Sequence, residues 1–274
     1  MISGRTRLIA HLGVPTEGFR APLIYNPYFE AEGIDCVVVP MGCEEGDLAA
    51  LLPALFRLRN IAGALITMPH KVSVTGLLDR LSPEARLCGA ANAVRREPDG
   101  SLTGDMFDGA GFVAGMRRKG REIAGGSALV IGAGGVGSAI AAALVGSGAA
   151  RLRLHDTDRA AVDRLASRLR DAQPAVAIET GTGPEHMDIV VNATPLGMGP
   201  DDPMPLDPAG LGPDTFVGDV VLRSGPTPLL AAAATRGCAT MTGIDMLFEQ
   251  IPAYLDFFGL PVTTPERLRA LARM

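Results

Sequence analysis

Short apolar runs alternate with longer amphipathic segments along most of the chain. In the first hundred residues the apolar runs are bounded by glycine, proline or polar residues, as strands are, and the segments between them have helical spacing. The predicted strands cover residues 7–12, 35–39, 61–67, 90–94 and 101–104. The predicted helices cover 23–32 and 48–58, and a third begins at His70 or Lys71 and carries Val72, Leu77 and Leu78 inward. The turn sequence 97–100 predicts a hairpin between the last two strands.

The same alternation continues beyond residue 104. A helix ends near Gly120. Further strands are predicted at 127–131, 151–154, 176–179, 188–192 and 215–221, followed by a loop at 223–228. Further helices are predicted at 138–145, 160–169, 228–237, 245–258 and 265–273. Repeated strand–helix units favour a parallel sheet. The predicted fold class is therefore α/β with two domains. An N-terminal α/β domain covers 1–104, a doubly wound parallel sheet of the Rossmann type covers 105–243, and C-terminal helices at 244–274 pack back on the N-terminal domain.

One glycine-rich turn joins the strand 127–131 to the helix that follows it. Its G-x-G-x-x-G spacing between a strand and a helix is the context that a dinucleotide fingerprint requires. The first glycine allows the turn, the second lets the backbone approach a pyrophosphate, and the third lets helix and strand pack closely. Free N–H groups at the helix N-terminus then face the phosphates. The predicted cofactor-binding residues of this turn are Gly132, Ala133, Gly134, Gly135, Val136 and Gly137.

Asp156 follows the next predicted strand and lies 24 residues beyond Gly132. An acidic side chain at this place accepts hydrogen bonds from a ribose 2′-hydroxyl and repels a 2′-phosphate. The sequence therefore predicts NAD rather than NADP as the cofactor.

Composition and charge exclude several classes of partner. The 274 residues carry a net charge of −5, which gives no electrostatic reason to expect nucleic acid or an anionic membrane as partner. No apolar run approaches the roughly 20 residues that span a bilayer. The four cysteines are scattered without metal-ligand spacing, which predicts reduced thiols in the cytoplasm and no metal site. The expected partner is a small-molecule substrate; a homodimer is compatible with the sequence, which does not fix the oligomeric state.

Lysine usage singles out one residue. Of the 25 basic residues 23 are arginine, and the two lysines are Lys71 and Lys119. A lysine can lose its proton when it is desolvated, whereas arginine stays charged near neutral pH. Lys71 follows the end of a predicted strand, so its amine is a candidate for proton transfer. The alternative is a lysine that solvates a helix start, although helix N-termini disfavour cations.

Two aspartates precede the helix that ends near Gly120. Asp105 and Asp108 are candidates for the carboxylate that would hold and relay a proton with Lys71 during oxidation of an alcohol. The alternative for each is capping of the helix N-terminus. One aspartate can cap while the other takes part in catalysis.

These motifs together resemble the shikimate/quinate dehydrogenase family over nearly the whole chain. The matching elements are Thr67-Met-Pro-His-Lys71, Gly89-Ala-Ala-Asn92, Gly104-Asp-Met-Phe-Asp-Gly109, the turn 132–137, Asn192-Ala-Thr194 and Gly243 to Gln250. The resemblance implies a two-domain fold with NAD(P) in the cleft and a catalytic pair, Lys71 and Asp108, beside the reacting hydroxyl. It also implies that Thr67, Asn92 and Gln250 bind ring hydroxyls and that Asn192 and Thr194 lie at the cofactor.

Several positions depart from the family pattern. A Ser-x-Ser pair that binds the substrate carboxylate is replaced by Phe19 and Ala21. Leu65-Ile66 stands where an asparagine is expected before the threonine, and Leu222 stands where a tyrosine is expected. Arg20 or Tyr25 could supply a different anchor, because a guanidinium pairs bidentately with a carboxylate. Either the carboxylate is bound in a new way, or the substrate is a relative of shikimate with a different polar pattern.

The leading hypothesis is a dehydrogenase that uses NAD and a Lys71/Asp108 pair to interconvert a ring hydroxyl and a ketone of shikimate or quinate. A shikimate analogue such as an amino-shikimate is an alternative substrate. A methylene-folate type dehydrogenase shares the architecture but has no match for Asp108. A catalytically silent NAD-binding sensor is the alternative outside enzymes, since fold alone does not fix function.

Overall fold

The computed structural model describes residues 2–223 and 225–274, so one position of the predicted loop 223–228 lies outside the described residues. The chain folds into two compact units, one of residues 1–107 with 251–274 and one of residues 108–250.

The first unit is built on one mixed six-stranded sheet. Its strands are β1 (Arg7–Gly13), β2 (Cys36–Gly42), β3 (Ile61–Ile66), β4 (Arg80–Leu81), β5 (Ala93–Arg96) and β6 (Leu102–Asp105), in the order β2-β1-β3-β5-β6-β4. The helices α1 (Pro22–Ala31), α2 (Leu48–Leu55), α3 (Pro83–Cys88) and α9 (Pro265–Leu271) belong to the same unit. β1 pairs in parallel with β2 and β3, whereas β5 and β6 form the predicted antiparallel hairpin.

Two expectations for this unit are wrong. No helix begins at His70 or Lys71; a short 3-10 turn covers Ser73–Leu77, and Val72 is 52% exposed instead of buried. Helix α3 and the short strand β4 were not predicted. The hydroxyl of Ser82 accepts a hydrogen bond from the Ala85 N–H at 3.0 Å, and proline follows at the first helical position, which together start α3.

The second unit is a six-stranded parallel sheet. Its strands are β7 (Ser127–Ile131), β8 (Arg151–His155), β9 (Ala177–Thr180), β10 (Ile189–Asn192), β11 (Phe216–Asp219) and β12 (Ala239–Thr242), in the order β12-β11-β10-β7-β8-β9. Its helices are α4 (Asp108–Arg118), α5 (Gly135–Gly146), α6 (Arg159–Ala172) and α7 (Pro228–Thr235), while α8 (Gly243–Phe257) continues past the last residue of the unit. This strand order is that of the Rossmann fold, so the predicted fold class is confirmed.

Glycines bring the helices of this unit close to each other and to the sheet. A Cβ on Gly109 in α4 would lie 2.2 Å from the carbonyl oxygen of Ala139 in α5. A Cβ on Gly218 in β11 would lie 2.6 Å from the ring of Phe112, which is fully buried. Helix α4 is therefore packed tightly, and Asp108 in its first turn has a fixed position within the unit. Among the described residues, no helix has the length and apolar character needed to cross a membrane.

Candidate active site

The segment from Thr67 to Lys71 is held by backbone hydrogen bonds at the end of β3. The Thr67 N–H donates to the Leu12 carbonyl at 2.9 Å, and the His70 N–H donates to the Thr67 carbonyl at 2.9 Å. The Lys71 carbonyl accepts a hydrogen bond from the Ala91 N–H at 2.8 Å. The backbone of Lys71 is thus tied both to the sheet and to the segment that carries Asn92.

His70 strengthens this arrangement, although no sequence pattern singles it out from its neighbours. Its side chain is fully buried, and Nε2 lies 2.7 Å from the Cys43 carbonyl in the loop after β2. A buried side chain with such a bond fixes the residue next to it. We therefore regard His70 as a positioning residue for Lys71.

Asn92 has a buried hydrogen-bond donor that no other described residue uses. The residue is 1% exposed, and its Oδ1 accepts a hydrogen bond from the Phe107 N–H at 3.0 Å. Its Nδ2 is buried without a hydrogen-bond partner among the described residues. Because buried polar groups are nearly always paired, an unpaired amide of this kind is typical of a ligand-binding position.

Asp105 and Asp108 have different surroundings. Asp105 Oδ1 accepts hydrogen bonds from the Ser82 hydroxyl and, at 2.7 Å, from the Met106 N–H. Asp105 therefore stabilises the chain ahead of α4. Asp108 lies in the first turn of α4 and is 2% exposed. It belongs to the second unit, whereas Lys71 belongs to the first.

The loop after β1 contains an aromatic stack that the sequence did not reveal. The rings of His11 and Phe19 lie 4.1 Å apart between centroids, with an angle of 28° between their planes. A Cβ on Gly13 would lie 2.5 Å from Thr67 Cγ2 and 3.4 Å from Phe19 Cζ. The Phe19 ring and the Thr67 side chain thus approach the same point, which puts the altered loop beside the predicted substrate site.

His11 carries no charge at neutral pH. Burial, with a smaller contribution from the positive charge of Lys71, lowers the pKa of His11 to about 3. Its Nδ1 is buried and has no hydrogen-bond partner among the described residues.

Arg20 and Tyr25, the alternative anchors, lie at the start of α1. Arg20 is half-buried, and its carbonyl accepts a hydrogen bond from the Leu23 N–H. Tyr25 is buried, its hydroxyl has no hydrogen-bond partner among the described residues, and burial raises its pKa. The Tyr25 hydroxyl is therefore a candidate ligand contact by the same reasoning as the Asn92 amide, whereas no contact of Arg20 assigns it to a substrate.

The glycine-rich turn has the geometry that its sequence predicts. Gly132 has a φ of +106°, which favours glycine, and helix α5 begins at Gly135. A Cβ on Gly137 would lie 1.8 Å from the Gly132 carbonyl oxygen, so this position needs glycine for packing. A Cβ on Gly134 would have no atom within 4 Å. The open backbone at Gly134, at the N-terminus of α5, suits the close approach of a pyrophosphate.

Asp156 is engaged by the backbone of its own unit. One carboxylate oxygen accepts a hydrogen bond from the Ala133 N–H at 2.6 Å, and the other accepts from the Asp158 N–H at 2.9 Å and the Thr157 hydroxyl at 3.3 Å. Burial acts to raise the pKa of Asp156, but these hydrogen bonds outweigh it and the pKa is lowered. The carboxylate therefore holds the glycine-rich turn against the end of β8.

Asn192 and Thr194 form a buried network at the end of β10. The Asn192 amide donates to the Leu196 carbonyl at 3.0 Å and to Asp219 Oδ1 at 3.1 Å, and its Oδ1 accepts from the Thr194 hydroxyl at 2.7 Å. Asp219 Oδ2 accepts from the Thr227 hydroxyl at 2.7 Å, and burial raises the pKa of Asp219. The Asn192 side chain thus shapes the turn that carries Thr194.

Gln250 lies in α8 beside α4. It is buried, and a Cβ on Gly111 would lie 2.7 Å from its Cβ. Its Oε1 has no hydrogen-bond partner among the described residues. Gln250 and Asn92 therefore each present one buried polar atom for a ligand, in separate units. Within 2–223 and 225–274 no group of three or more His, Cys, Asp or Glu side chains could hold a metal ion.

Comparison with known proteins identifies the group to which the chain belongs. A family model described as the shikimate dehydrogenase substrate binding domain matches residues 12–94. A shikimate dehydrogenase (NADP(+)) from Acidiphilium cryptum (strain JF-5) is 36% identical over 286 residues, which cover 99% of this chain and 98% of the relative.

Two solved structures extend the comparison over the fold. The quinate dehydrogenase from Corynebacterium glutamicum in complex with NAD is 33% identical, with a TM-score of 0.85 and coverage of 97% of this chain and 98% of that one. The ligand-free 5-ketofructose reductase of Gluconobacter sp. strain CHM43 is 26% identical, with a TM-score of 0.84 and coverage of 98% and 99%.

The prediction of NAD as the cofactor is wrong. The curated relatives from A. cryptum, Rubrobacter xylanophilus and Rhodospirillum rubrum, 35–36% identical to this chain, are all named as NADP(+) enzymes. Spacing did not show that Asp156 already accepts three hydrogen bonds from its own unit, where it holds the glycine-rich turn. An acid at this place is therefore not by itself evidence of selection for NAD.

The level of identity and the coverage of both chains confirm the family that the motifs suggested. They also confirm the enzyme class, an NAD(P)-dependent dehydrogenase that acts on a CH–OH group. The chain belongs to the shikimate dehydrogenase family.

Proposed function

We propose that the protein transfers hydride between NADP and a ring hydroxyl of shikimate, quinate or a closely related ring, with Lys71 and Asp108 as its acid–base pair. The observation that carries the proposal is the fixed segment from Thr67 to Lys71 together with the unpaired amide of Asn92. As parts of this proposal, residues 1–104 form the substrate domain, 105–243 the NADP-binding domain, and 244–274 complete the substrate domain.

The chemistry assigns a role to each group. The turn 132–137 would hold NADP(+), which would supply the acceptor for the hydride from the ring carbon. The Lys71 amine takes the proton from the hydroxyl as the carbonyl forms, and returns it in the reverse direction. The Asp108 carboxylate balances the positive charge that Lys71 gains with the proton. The ring is oriented by hydrogen bonds from its hydroxyls to Thr67, Asn92 and Gln250. Such positioning is a large part of the rate that an enzyme gains.

The fit of NADP rests on the glycine-rich turn and on the segment after β8. Gly134 leaves the backbone open at the N-terminus of α5, where N–H groups and the helix dipole favour phosphate. Thr157 and Arg159 follow Asp156 and are exposed. We propose that Arg159, and not Asp156, receives the 2′-phosphate, because a guanidinium donates hydrogen bonds to it.

The mechanism is tested by replacing each lysine in turn. Lys71→Ala should lower kcat by about 10²- to 10⁴-fold, which is the usual contribution of general acid–base catalysis, and should leave NADP affinity unchanged. Lys119→Ala is the matched control, because Lys119 pairs with Asp245 at 3.2 Å on α8 and has no predicted role in catalysis. Turnover with NADP and shikimate, quinate and an amino-shikimate is measured for both variants and the wild type. Wild-type activity in Lys71→Ala contradicts the mechanism.

The same assay separates the alternatives. Preference for the amino-shikimate would assign the chain to that analogue. A wild-type protein that binds NADP but turns over none of the substrates would favour the catalytically silent sensor. A homodimer stays a prediction.

A further inference from the structure

The loop after β1 presents an apolar surface where the family resemblance places hydroxyl groups. Phe19 and Ala21 replace the serine pair, Phe19 stacks on His11, and the ring approaches Thr67. We name this surface, made of His11, Phe19 and Ala21, the aromatic wall. Its neighbour Thr67 is a predicted ligand of the ring hydroxyls, so the wall belongs to the substrate site of the proposed function.

The aromatic wall carries no charge that could hold an anion. His11 is neutral at neutral pH because burial and the charge of Lys71 lower its pKa to about 3. Phe19 contributes a phenyl ring and Ala21 a buried methyl group, and neither side chain can donate a hydrogen bond.

The backbone at the start of α1 does not replace the missing hydroxyls. The Leu23 N–H donates to the Arg20 carbonyl, and the N–H groups of Ile24 and Tyr25 both donate to the Ala21 carbonyl. The first N–H groups of the helix, which often bind anions, are therefore already used. A carboxylate placed against this loop would lose its hydration and would gain no donor from Phe19 or Ala21, and the single N–H of the neutral His11 ring would not replace two hydroxyls, which is unfavourable.

We propose that the substrate is a shikimate-like ring whose end at the aromatic wall is uncharged, a cyclic polyol or its ketone without a free carboxylate. The inference rests on the proposed function and adds the substrate class. The C–H face of such a ring can pack on the Phe19 phenyl ring as other apolar surface does. The hydroxyls on the remaining ring carbons would still meet Thr67 and Asn92. Phe19 and Ala21 are then specificity-determining residues.

Two residues offer a competing explanation, the buried Tyr25 hydroxyl, which has no hydrogen-bond partner among the described residues, and Arg20, whose guanidinium can pair bidentately with a carboxylate. Arg20 is the one cation between Val14 and Pro22 in the sequence, and it is half-buried. If its guanidinium binds the carboxylate, the protein prefers the acid in spite of the aromatic wall. The experiment therefore needs a variant of Arg20 as well as variants of the wall.

The test compares shikimate with its methyl ester, two substrates with the same ring that differ in the charge at one end. The full-length protein, Arg20→Gln and the double variant Phe19→Ser/Ala21→Ser are assayed with NADP(+), and kcat/KM is measured for both substrates. NADP affinity and the thermal unfolding midpoint show whether each variant is folded. We expect the wild type to prefer the ester by at least roughly tenfold, the loss typical of one unmade hydrogen bond to a charged group. The double variant should shift this ratio toward shikimate by a similar factor.

Other outcomes separate the proposed dehydrogenase function from the inference that the substrate is uncharged at the aromatic wall. A wild type that prefers shikimate, with a preference that Arg20→Gln abolishes, overturns the inference and leaves the dehydrogenase function in place. An unchanged ratio in a folded double variant overturns the inference too, because the wall then does not select the substrate. If neither the wild type nor the double variant oxidises either substrate, the proposed dehydrogenation of a shikimate-like ring fails, and the inference fails with it.

Discussion

Two glycines of the same turn should differ in how replacement by alanine changes the stability of the fold. Alanine at Gly137 should destabilise it, whereas alanine at Gly134 should not. A Cβ on Gly137 would lie 1.8 Å from the Gly132 carbonyl oxygen, whereas Cβ atoms essentially never approach other atoms within 3.0 Å. The turn and α5 would have to separate by about 1.2 Å, the difference between these two distances. Overpacking costs about 1–3 kcal/mol, and the upper end applies here because the obstacle is backbone. Gly137→Ala should therefore lower the thermal unfolding midpoint by roughly 6–12 °C.

Gly134→Ala is the matched control. Gly134 has a φ of −72°, which alanine adopts, and its Cβ would meet no atom within 4 Å. The fold should keep its stability or gain about 0.4–1 kcal/mol. The added methyl group would stand where the pyrophosphate approaches the backbone, so NADP affinity should fall about tenfold or more, the effect of one steric conflict of about 1.4 kcal/mol.

The assays are thermal unfolding by circular dichroism without ligand and NADP binding by titration calorimetry. Unfolding of Gly137→Ala at the wild-type temperature would refute the reasoning, because the close approach of turn and helix would then be absent. Wild-type NADP affinity in Gly134→Ala would refute it as well, because the pyrophosphate would then lie elsewhere.

Two further predictions concern carboxylates of the Rossmann unit, the buried Asp219 and the exposed Asp188. Asn192→Ala removes the hydrogen bonds to Asp219 and to the Leu196 carbonyl, and should lower the free energy of unfolding by about 2–3 kcal/mol because the buried Asp219 carboxylate and the Leu196 carbonyl each lose one hydrogen bond; denaturant unfolding with an unchanged midpoint would contradict this. Asp188 accepts hydrogen bonds from the Ser127 N–H and hydroxyl, both at 2.8 Å, which lower its pKa. A lowered pKa in the folded state gives stability that is present above the unfolded pKa of about 3.9 and is lost as the pH falls through the folded pKa. The free energy of unfolding should thus fall below about pH 4, and Asp188→Asn should reduce that slope; an equal slope in both proteins would argue against the assignment.

The Rossmann unit was the more predictable part of the fold, because its central strands are buried and carry strong apolar runs. The predicted strand 127–131 has the same bounds as β7, and the turn that follows it was recognised from its glycine spacing between a predicted strand and a predicted helix. β12 (Ala239–Thr242) was missed since it is a four-residue edge strand with alternating polar residues. In the first unit, the helix predicted from His70 is replaced by a 3-10 turn, because backbone bonds to β1 and to Ala91 hold this segment in place.

In the candidate site, too, some residues could be predicted from the sequence and others could not. Lys71 and Asp108 were singled out from residue usage and motif, whereas His11 was not, since it lies inside an apolar strand and has no motif around it. Its meaning comes from contacts with residues far along the chain, Phe19 in the ring stack and Lys71 through its charge. Local sequence patterns carry no information on such neighbours, so the aromatic wall became visible only in the folded chain.

Asp156 shows why a correct motif can still give a wrong ligand. The spacing from Gly132 places an acid at the end of β8, and that placement is as expected. What spacing does not show is whether the carboxylate is already engaged, and here the Ala133 and Asp158 N–H groups both donate to it. Its negative charge is thereby spread over hydrogen bonds within the unit, and its first role is to hold the glycine-rich turn. The spacing of an acid after β8 therefore does not by itself identify the cofactor, because the same carboxylate can stabilise the glycine-rich turn instead.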